Sequence, residues 1–175
     1  MSVRRIHMLL TGGTIEKVYD EVRGGIDNLE GRIDFYFPRL RLPYVRIIPR
    51  RVMNIDSLGM TDEHRAEIVA YLRSILPDGL PVVITHGTDT MVETGKYIRA
   101  RLPEVTVPIV LTGAMLPLVV ENSDGLQNLA ESIFATRFLA PDVYIVFHNE
   151  CYTMDDVRKN REKKTFEKPS ECGGA

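Results

Sequence analysis

Five short runs of branched apolar residues recur along the chain, at 6–10, 45–48, 81–85, 107–111 and 143–147. Their length, β-branching and flanking breakers mark each as a strand, the first of them buried. Amphipathic stretches separate the later runs. Thr61 caps a predicted helix reaching about Leu76, with Asp62 and Glu63 in its first turn and Ile68, Leu72, Ile75 and Leu76 as its apolar stripe. A second helix carries Met91, Gly95, Ile98 and Leu102 on one face. A third starts at Ser123 or Asp124 and buries Leu126, Leu129, Ala130, Ile133 and Phe134. Strands alternating with helices predict an α/β fold, a single doubly wound, mostly parallel sheet with helices on both faces. The 175 residues suit one domain, typically about 100–200 residues, and show no linker or internal repeat. Residues 16–30, charged and holding Gly24-Gly25, read as a mobile loop, and 31–40 read as a short helix at best. From Asp155 onward the chain is a highly charged tail whose Gly-Gly-Ala end is expected to fray.

Open parallel sheets bind ligands beyond the carboxyl ends of their strands. Each run here ends in a segment suited to that task. They are Thr11-Gly12-Gly13-Thr14-Ile15, Asn54-Ile55-Asp56-Ser57, His86-Gly87-Thr88-Asp89-Thr90, Thr112-Gly113-Ala114-Met115 and His148-Asn149-Glu150, with Asp156-Val157-Arg158-Lys159-Asn160 close behind the last. One such turn means little; five on one rim point to a site. Glycines at 12 and 13 let backbone N–H groups approach a ligand and hold an anion or a developing oxyanion. Thr14 beside them is a hydroxyl nucleophile, which needs a base at neutral pH. Asp89 and Lys159 are candidates for polarising a second hydroxyl, Thr88. A lysine serves as base only where desolvation or a cationic neighbour disfavours its charge, and Arg158 is one source of such a field.

Other chemistries find less support. A dinucleotide site needs G-x-G-x-x-G opening a helix; that spacing and a Walker-type lysine are both missing. His86 at a strand end reads as a buried structural imidazole, and His7, His64 and His148 lack metal-ligand spacing. No cofactor or metal is expected. The net charge of −2 argues against nucleic acid or a membrane surface as the main partner. Cys151 and Cys172 form no C-x-x-C pair and read as free thiols of a reducing compartment. The first apolar run stops at Thr11-Gly12-Gly13, too soon for a signal-peptide core or a membrane span. The cytosol is the expected location.

Thr11-Gly-Gly-Thr-Ile15 and His86-Gly-Thr-Asp-Thr90 resemble the two signature patterns of the bacterial L-asparaginase/glutaminase family. Thr112-Gly-Ala-Met115, Ser123-Asp-Gly125 and Asp156-Val-Arg-Lys159 are similar to further family segments, in the same order, so the resemblance covers about Ile6 to Asn160. It implies the fold of that family's N-terminal domain and hydrolysis of L-asparagine through a threonine acyl-enzyme. It assigns Thr14 as primary nucleophile and Tyr19 as the loop tyrosine that closes over the substrate. Thr88, Asp89 and Lys159 become the second catalytic group, with Asp89 also taking the substrate ammonium. Ser57 would hold the α-carboxylate and Ala114 would offer its carbonyl to the side-chain amide. Asp56, Gly13 and Gly87 complete the substrate-binding set.

Typical members carry a second, smaller α/β domain after the tail region. The expectation is therefore a catalytic domain over 1–160 and a charged tail over 161–175, without that second domain. A homo-oligomer, a dimer or larger, is expected to close the site in that domain's place, with segment 35–48 as one candidate contact. Two other functions stay open, a non-catalytic module that binds asparagine or aspartate and an amidotransferase-type subunit that delivers ammonia to a partner.

Overall fold

The computed structural model describes residues 3–29 and 33–172. The five apolar runs form parallel strands, β1 (Arg4–Gly12), β4 (Val45–Ile55), β5 (Val82–Thr85), β6 (Ile109–Thr112) and β7 (Val143–Phe147). With an antiparallel edge strand, β8 (Glu150–Thr153), they build a six-stranded sheet in the order β4-β1-β5-β6-β7-β8. From β1 the chain steps outward to β4, then crosses back to β5 on the other side of β1 and proceeds away from it. Strand order therefore reverses between β1 and β5, the place where sheets of this kind open a crevice.

Among the described residues, three α-helices cover the sheet: α1 (Asp62–Ile75), α2 (Met91–Arg101) and α3 (Gly125–Ala135). Side chains alternate along a strand, and the core divides accordingly. On one face Leu9, Val82, Ile84, Ile109 and Leu111 pack with Ile68 and Leu72 of α1 and Ile98 of α2. On the other, Ile6, Met8, Val83 and Val110 pack with Leu129 and Ile133 of α3. Each side chain buried this fully contributes roughly 1.5–3 kcal/mol by leaving water. The expected doubly wound architecture is the one found. Thr61 stands at the α1 N-cap position, its N–H donating to His64 Nδ1 at 3.1 Å. Phe134 departs from the expected core: it is exposed on α3 and meets Phe138 edge to face instead.

Three polar segments carry more structure than their composition promised. The stretch expected to be a mobile loop holds a hairpin of β2 (Val18–Asp20) and β3 (Gly25–Asp27). Asp20 Oδ1 accepts the N–H groups of Val22 and Arg23 at 2.8 and 3.1 Å and shapes its turn. Residue 30 of that loop, and residues 31 and 32 of the segment read as a short helix, lie outside the described residues; a 3₁₀ helix follows over Ile33–Arg39. His148 and Asn149, both left-handed, form the two-residue turn from β7 to β8. The charged tail folds as a second hairpin, β9 (Arg158–Asn160) with β10 (Thr165–Glu167), and Phe166 of that hairpin is buried in the core. The fraying expected at residues 173–175 lies outside the described residues.

Candidate active site

Glycine contacts draw four strand-end loops together at the crevice. A Cβ built on Gly12 would lie 2.4 Å from the Ile55 nitrogen, one on Gly13 2.2 Å from the Gly87 nitrogen, and one on Gly87 2.4 Å from Ser57 Oγ. A Cβ on Gly113 would lie 2.3 Å from the His86 carbonyl oxygen. The loops after β4, β1, β5 and β6 thus touch in sheet order with no room for a side chain between them. Thr14 follows Gly13 and Thr88 follows Gly87, so both threonines leave one point of backbone contact. Ser57 is buried beside Gly87, and its carbonyl accepts the Thr90 hydroxyl at 2.8 Å where α2 begins.

Lys159 arrives from β9. Its Nζ donates to Thr88 Oγ1 at 2.7 Å and to Asp89 Oδ1 at 3.0 Å. These residues lie about 70 positions apart in sequence, at separations of 71 and 70. Asp89 Oδ1 also receives Arg161 Nη1 at 2.8 Å. Lys159, in the middle of β9, and Arg161, the first residue of the turn after it, both reach Asp89. Arg158 and Asn160 face the other way and hold Glu167, at 2.8 and 2.7 Å. Arg158 therefore turns away from Lys159, contrary to the expectation that it adds to the field there.

Asp56 belongs to the same rim. Lys17 reaches its carboxylate at 2.5 Å. The Lys17 hydrogen bond, with help from the Leu58 N–H and the charges of Lys17 and Lys159, holds Asp56 below the usual carboxylate range against the opposing effect of burial. Lys17 lies three residues after Thr14, and its N–H closes the Thr14 turn on the Thr14 carbonyl at 3.1 Å. The loop carrying Thr14 is therefore tied electrostatically to Asp56, whose carboxylate also feels the charge of Lys159. Ala114 is fully buried, and the next residue, Met115, brings its sulfur to 3.9 Å from Thr88 Oγ1. Asp124 fixes that loop: it accepts the Met115 N–H at 2.9 Å, pairs with His148 Nε2 at 3.0 Å and receives Asn128 Nδ2 at 2.9 Å. An open pocket of about 600 Å³ lies alongside, lined by Lys159, Arg161, Lys163, Lys164, His148 and Asp124 among others.

Tyr19 stands apart from this cluster. It lies on β2, 59% exposed, with its hydroxyl 4.0 Å from where a Cβ on Gly24 would lie, across its own hairpin. His86 is the buried structural imidazole expected, with Nδ1 donating to the Gly87 carbonyl at 2.7 Å. Burial pulls it down to about 4, with the Arg65 charge adding and the Gly87 bond opposing.

Two side chains that sequence reasoning passed over belong to the site. Glu16 is fully buried beneath the Thr14 turn. Its Oε1 accepts the Gly12 N–H and the Thr85 hydroxyl, each at 3.1 Å, and Arg51 pairs with Oε2 at 2.8 Å. Arg161 is the other. No spacing in the sequence marks it, because it reaches Asp89 from the turn after β9. Among the described residues, no three His, Cys, Asp or Glu side chains group as metal ligands, and no helix is long and apolar enough to cross a membrane.

What the geometry offers is the Thr88 hydroxyl beside an ammonium group, a carboxylate able to take a cation, and a second threonine, Thr14, on the loop whose backbone meets that of Thr88. That equipment suits acyl transfer. The model of the family described as "Asparaginase, N-terminal" matches residues 5–171. L-asparaginase 1 of Escherichia coli K12 is 30% identical over 170 residues, 94% of this chain and 48% of that protein. A glutamyl-tRNA(Gln) amidotransferase subunit from Methanobrevibacter smithii is 30% identical over 158 residues, 87% of this chain and 36% of that protein. The solved structure of the thermostable L-asparaginase from Thermococcus kodakarensis superposes with a TM-score of 0.81 at 27% identity, covering 94% of this chain and 51% of that one. The chain spans about half or less of the length of these relatives.

Proposed function

The chain belongs to the asparaginase family, and on that premise we propose that it hydrolyses L-asparagine to L-aspartate and ammonia. The observation that carries this reading is the Lys159 ammonium on Thr88 and Asp89, assembled beside the loop of Thr14. In the proposed course Thr14 Oγ attacks the carboxamide carbon, and backbone N–H groups of the two threonine loops receive the oxyanion, each good donor being worth roughly 3–4 kcal/mol. The C–N bond breaks as the Thr14 proton passes to the leaving nitrogen, which departs as ammonia. Water polarised by Thr88 and Lys159 then attacks the ester; one of its protons returns to Thr14 Oγ, the other passes by way of solvent to the released ammonia, and the new carboxylate leaves. Ser57 holds the α-carboxylate, Asp56 lines the substrate edge beside it while paired with Lys17, Asp89 takes the substrate ammonium, and the Ala114 carbonyl accepts from the amide. Tyr19 reaches the site in this scheme only if its hairpin closes on the bound substrate.

Ammonia release from L-asparagine tests the reading. T14A and T88A should each reduce it by at least about 10²-fold. A wild-type chain no faster than those variants overturns it. The likeness to an amidotransferase component supports a second reading, release of ammonia to a partner enzyme instead of to solvent. Recovery of a stable complex whose partner consumes the ammonia decides for that one.

A further inference from the structure

Asp89 has one carboxylate and two cations. Lys159 and Arg161 both meet Oδ1, at 3.0 and 2.8 Å. Their settings differ. The Lys159 side chain is 15% exposed and is also committed to Thr88, whereas that of Arg161 is 70% exposed and, among the described residues, holds Asp89 alone. Arg161 comes from the first position after β9, in the turn that joins it to β10, so its backbone is free of the strand ladder. An exposed pair of this kind is screened and weak. A compact ammonium brought close to Asp89 by the rest of a bound molecule competes with it on favourable terms.

We propose that Arg161 is a specificity-determining residue of this site, an internal cation seated on Asp89 that an incoming ammonium displaces. The inference rests on the reading that Asp89 receives the substrate ammonium. It adds a consequence that reading lacks: ammonium-bearing amides bind against an occupant, and amides without an ammonium do not. A carboxamide carrying a carboxylate alone leaves the Arg161–Asp89 pair intact. It also faces a pocket edge crowded with Lys163, Lys164 and Arg161 itself. Arg161 therefore narrows the gap between α-amino acid amides and plain dicarboxylic acid monoamides.

The test compares L-asparagine with succinamate, which has the same amide and carboxylate spacing but no ammonium, on the full chain and on R161Q and R161K. In R161Q the KM for L-asparagine falls about 2–5-fold, the range an exposed ion pair spans, while the KM for succinamate does not fall. R161K keeps a cation at the position and holds the wild-type KM ratio. An L-asparagine KM that is unchanged or raised in R161Q, an equal response of both amides, or an R161K that behaves as R161Q does overturns the proposal. If the wild-type chain hydrolyses neither amide, it is the amidohydrolase reading that fails. The same contrast is then measured by calorimetry with L-aspartate against succinate: tighter L-aspartate binding alone in R161Q supports the exchange, and an equal response overturns it.

Discussion

Gly13 and Gly87 meet main chain to main chain: a Cβ on Gly13 would lie 2.2 Å from the Gly87 nitrogen and 2.4 Å from its Cα. Gly13 also holds φ 80, in the left-handed region. An alanine there meets both obstacles at once. The backbone conformation costs about 1–2 kcal/mol, and pushing two loops apart costs about 1–3 kcal/mol more. G13A should lower the unfolding free energy in urea by roughly 2–5 kcal/mol. Because the displaced loops carry Thr14 and Thr88, the rate of ammonia release should fall by about 10²-fold or more even where the variant is folded. A folded G13A with wild-type turnover would show that this contact does not position the site.

His86 gives the protein a pH dependence separate from catalysis. Its imidazole sits at about 4 in the folded chain against an ordinary value of 6.5. The unfolded chain therefore takes up a proton first as pH falls. The stability that comes from keeping His86 neutral is complete above pH 6.5 and is lost progressively down to about 4. The loss amounts to roughly 3 kcal/mol. Urea midpoints measured from pH 7.5 to 4 should drop more steeply in the wild type than in H86N, whose amide still donates to the Gly87 carbonyl and does not titrate. Parallel slopes would remove His86 as the cause.

Why some elements could be read from the chain and others not follows from what holds them. The central parallel strands β5, β6 and β7 and most of β1 are buried on both faces, so they read as near-continuous apolar runs, whereas edge strand β4 is half exposed and only its start, Val45 to Ile48, reads that way; the loops at the strand ends follow. The hairpins β2–β3 and β9–β10 have three residues per strand and almost no alternation. They are set by turn backbone, with Gly24 and Lys164 left-handed, and by side-chain clamps at Asp20 and Glu167. Lys159 alone would pass for a solvated charge, and only its place in a family segment singled it out. Glu16 and Arg161 had no such marker, since acids and bases in charged segments usually face water. Glu16 is buried because Gly12, Thr85 and Arg51 converge on it, and two of those three are distant in sequence.

That convergence makes Glu16 a positioning residue for the Thr14 turn. E16A strands the Gly12 N–H and the Thr85 hydroxyl and removes the carboxylate that Arg51 pairs with. Unsatisfied groups of this kind cost about 1–3 kcal/mol each, and the partial exposure of Arg51 reduces its share. E16A should lose about 2–4 kcal/mol of stability. E16Q keeps an acceptor for Gly12 and Thr85 and should lose about half as much or less. The distinguishing readout is turnover at a temperature where all three proteins are folded. Recovery of kcat in E16Q relative to E16A marks positioning, and equal kcat in both variants would leave Glu16 a stability residue only.

Glu167 holds the strand that carries Lys159. The Asn160 amide, then the Arg158 guanidinium, then Lys163 pull its carboxyl down to about 2, against an ordinary 4.5. A lowered carboxyl favours the folded hairpin wherever it is ionised. That contribution is whole above pH 4.5 and disappears as pH falls from 4.5 towards 2, below most of the range where His86 acts. E167Q removes the charge at every pH. Arg158 loses its partner, Asn160 keeps only an amide oxygen, and β9 is free to shift Lys159 off Thr88 and Asp89. Ammonia release by E167Q should fall by about 10-fold at neutral pH, consistent with a displacement well short of 1 Å at the reacting groups. Its residual activity should respond less than the wild type's when the pH is lowered from 4.5 to 3. Wild-type activity in E167Q would mean that Phe166 and the β9–β10 ladder hold Lys159 without this clamp.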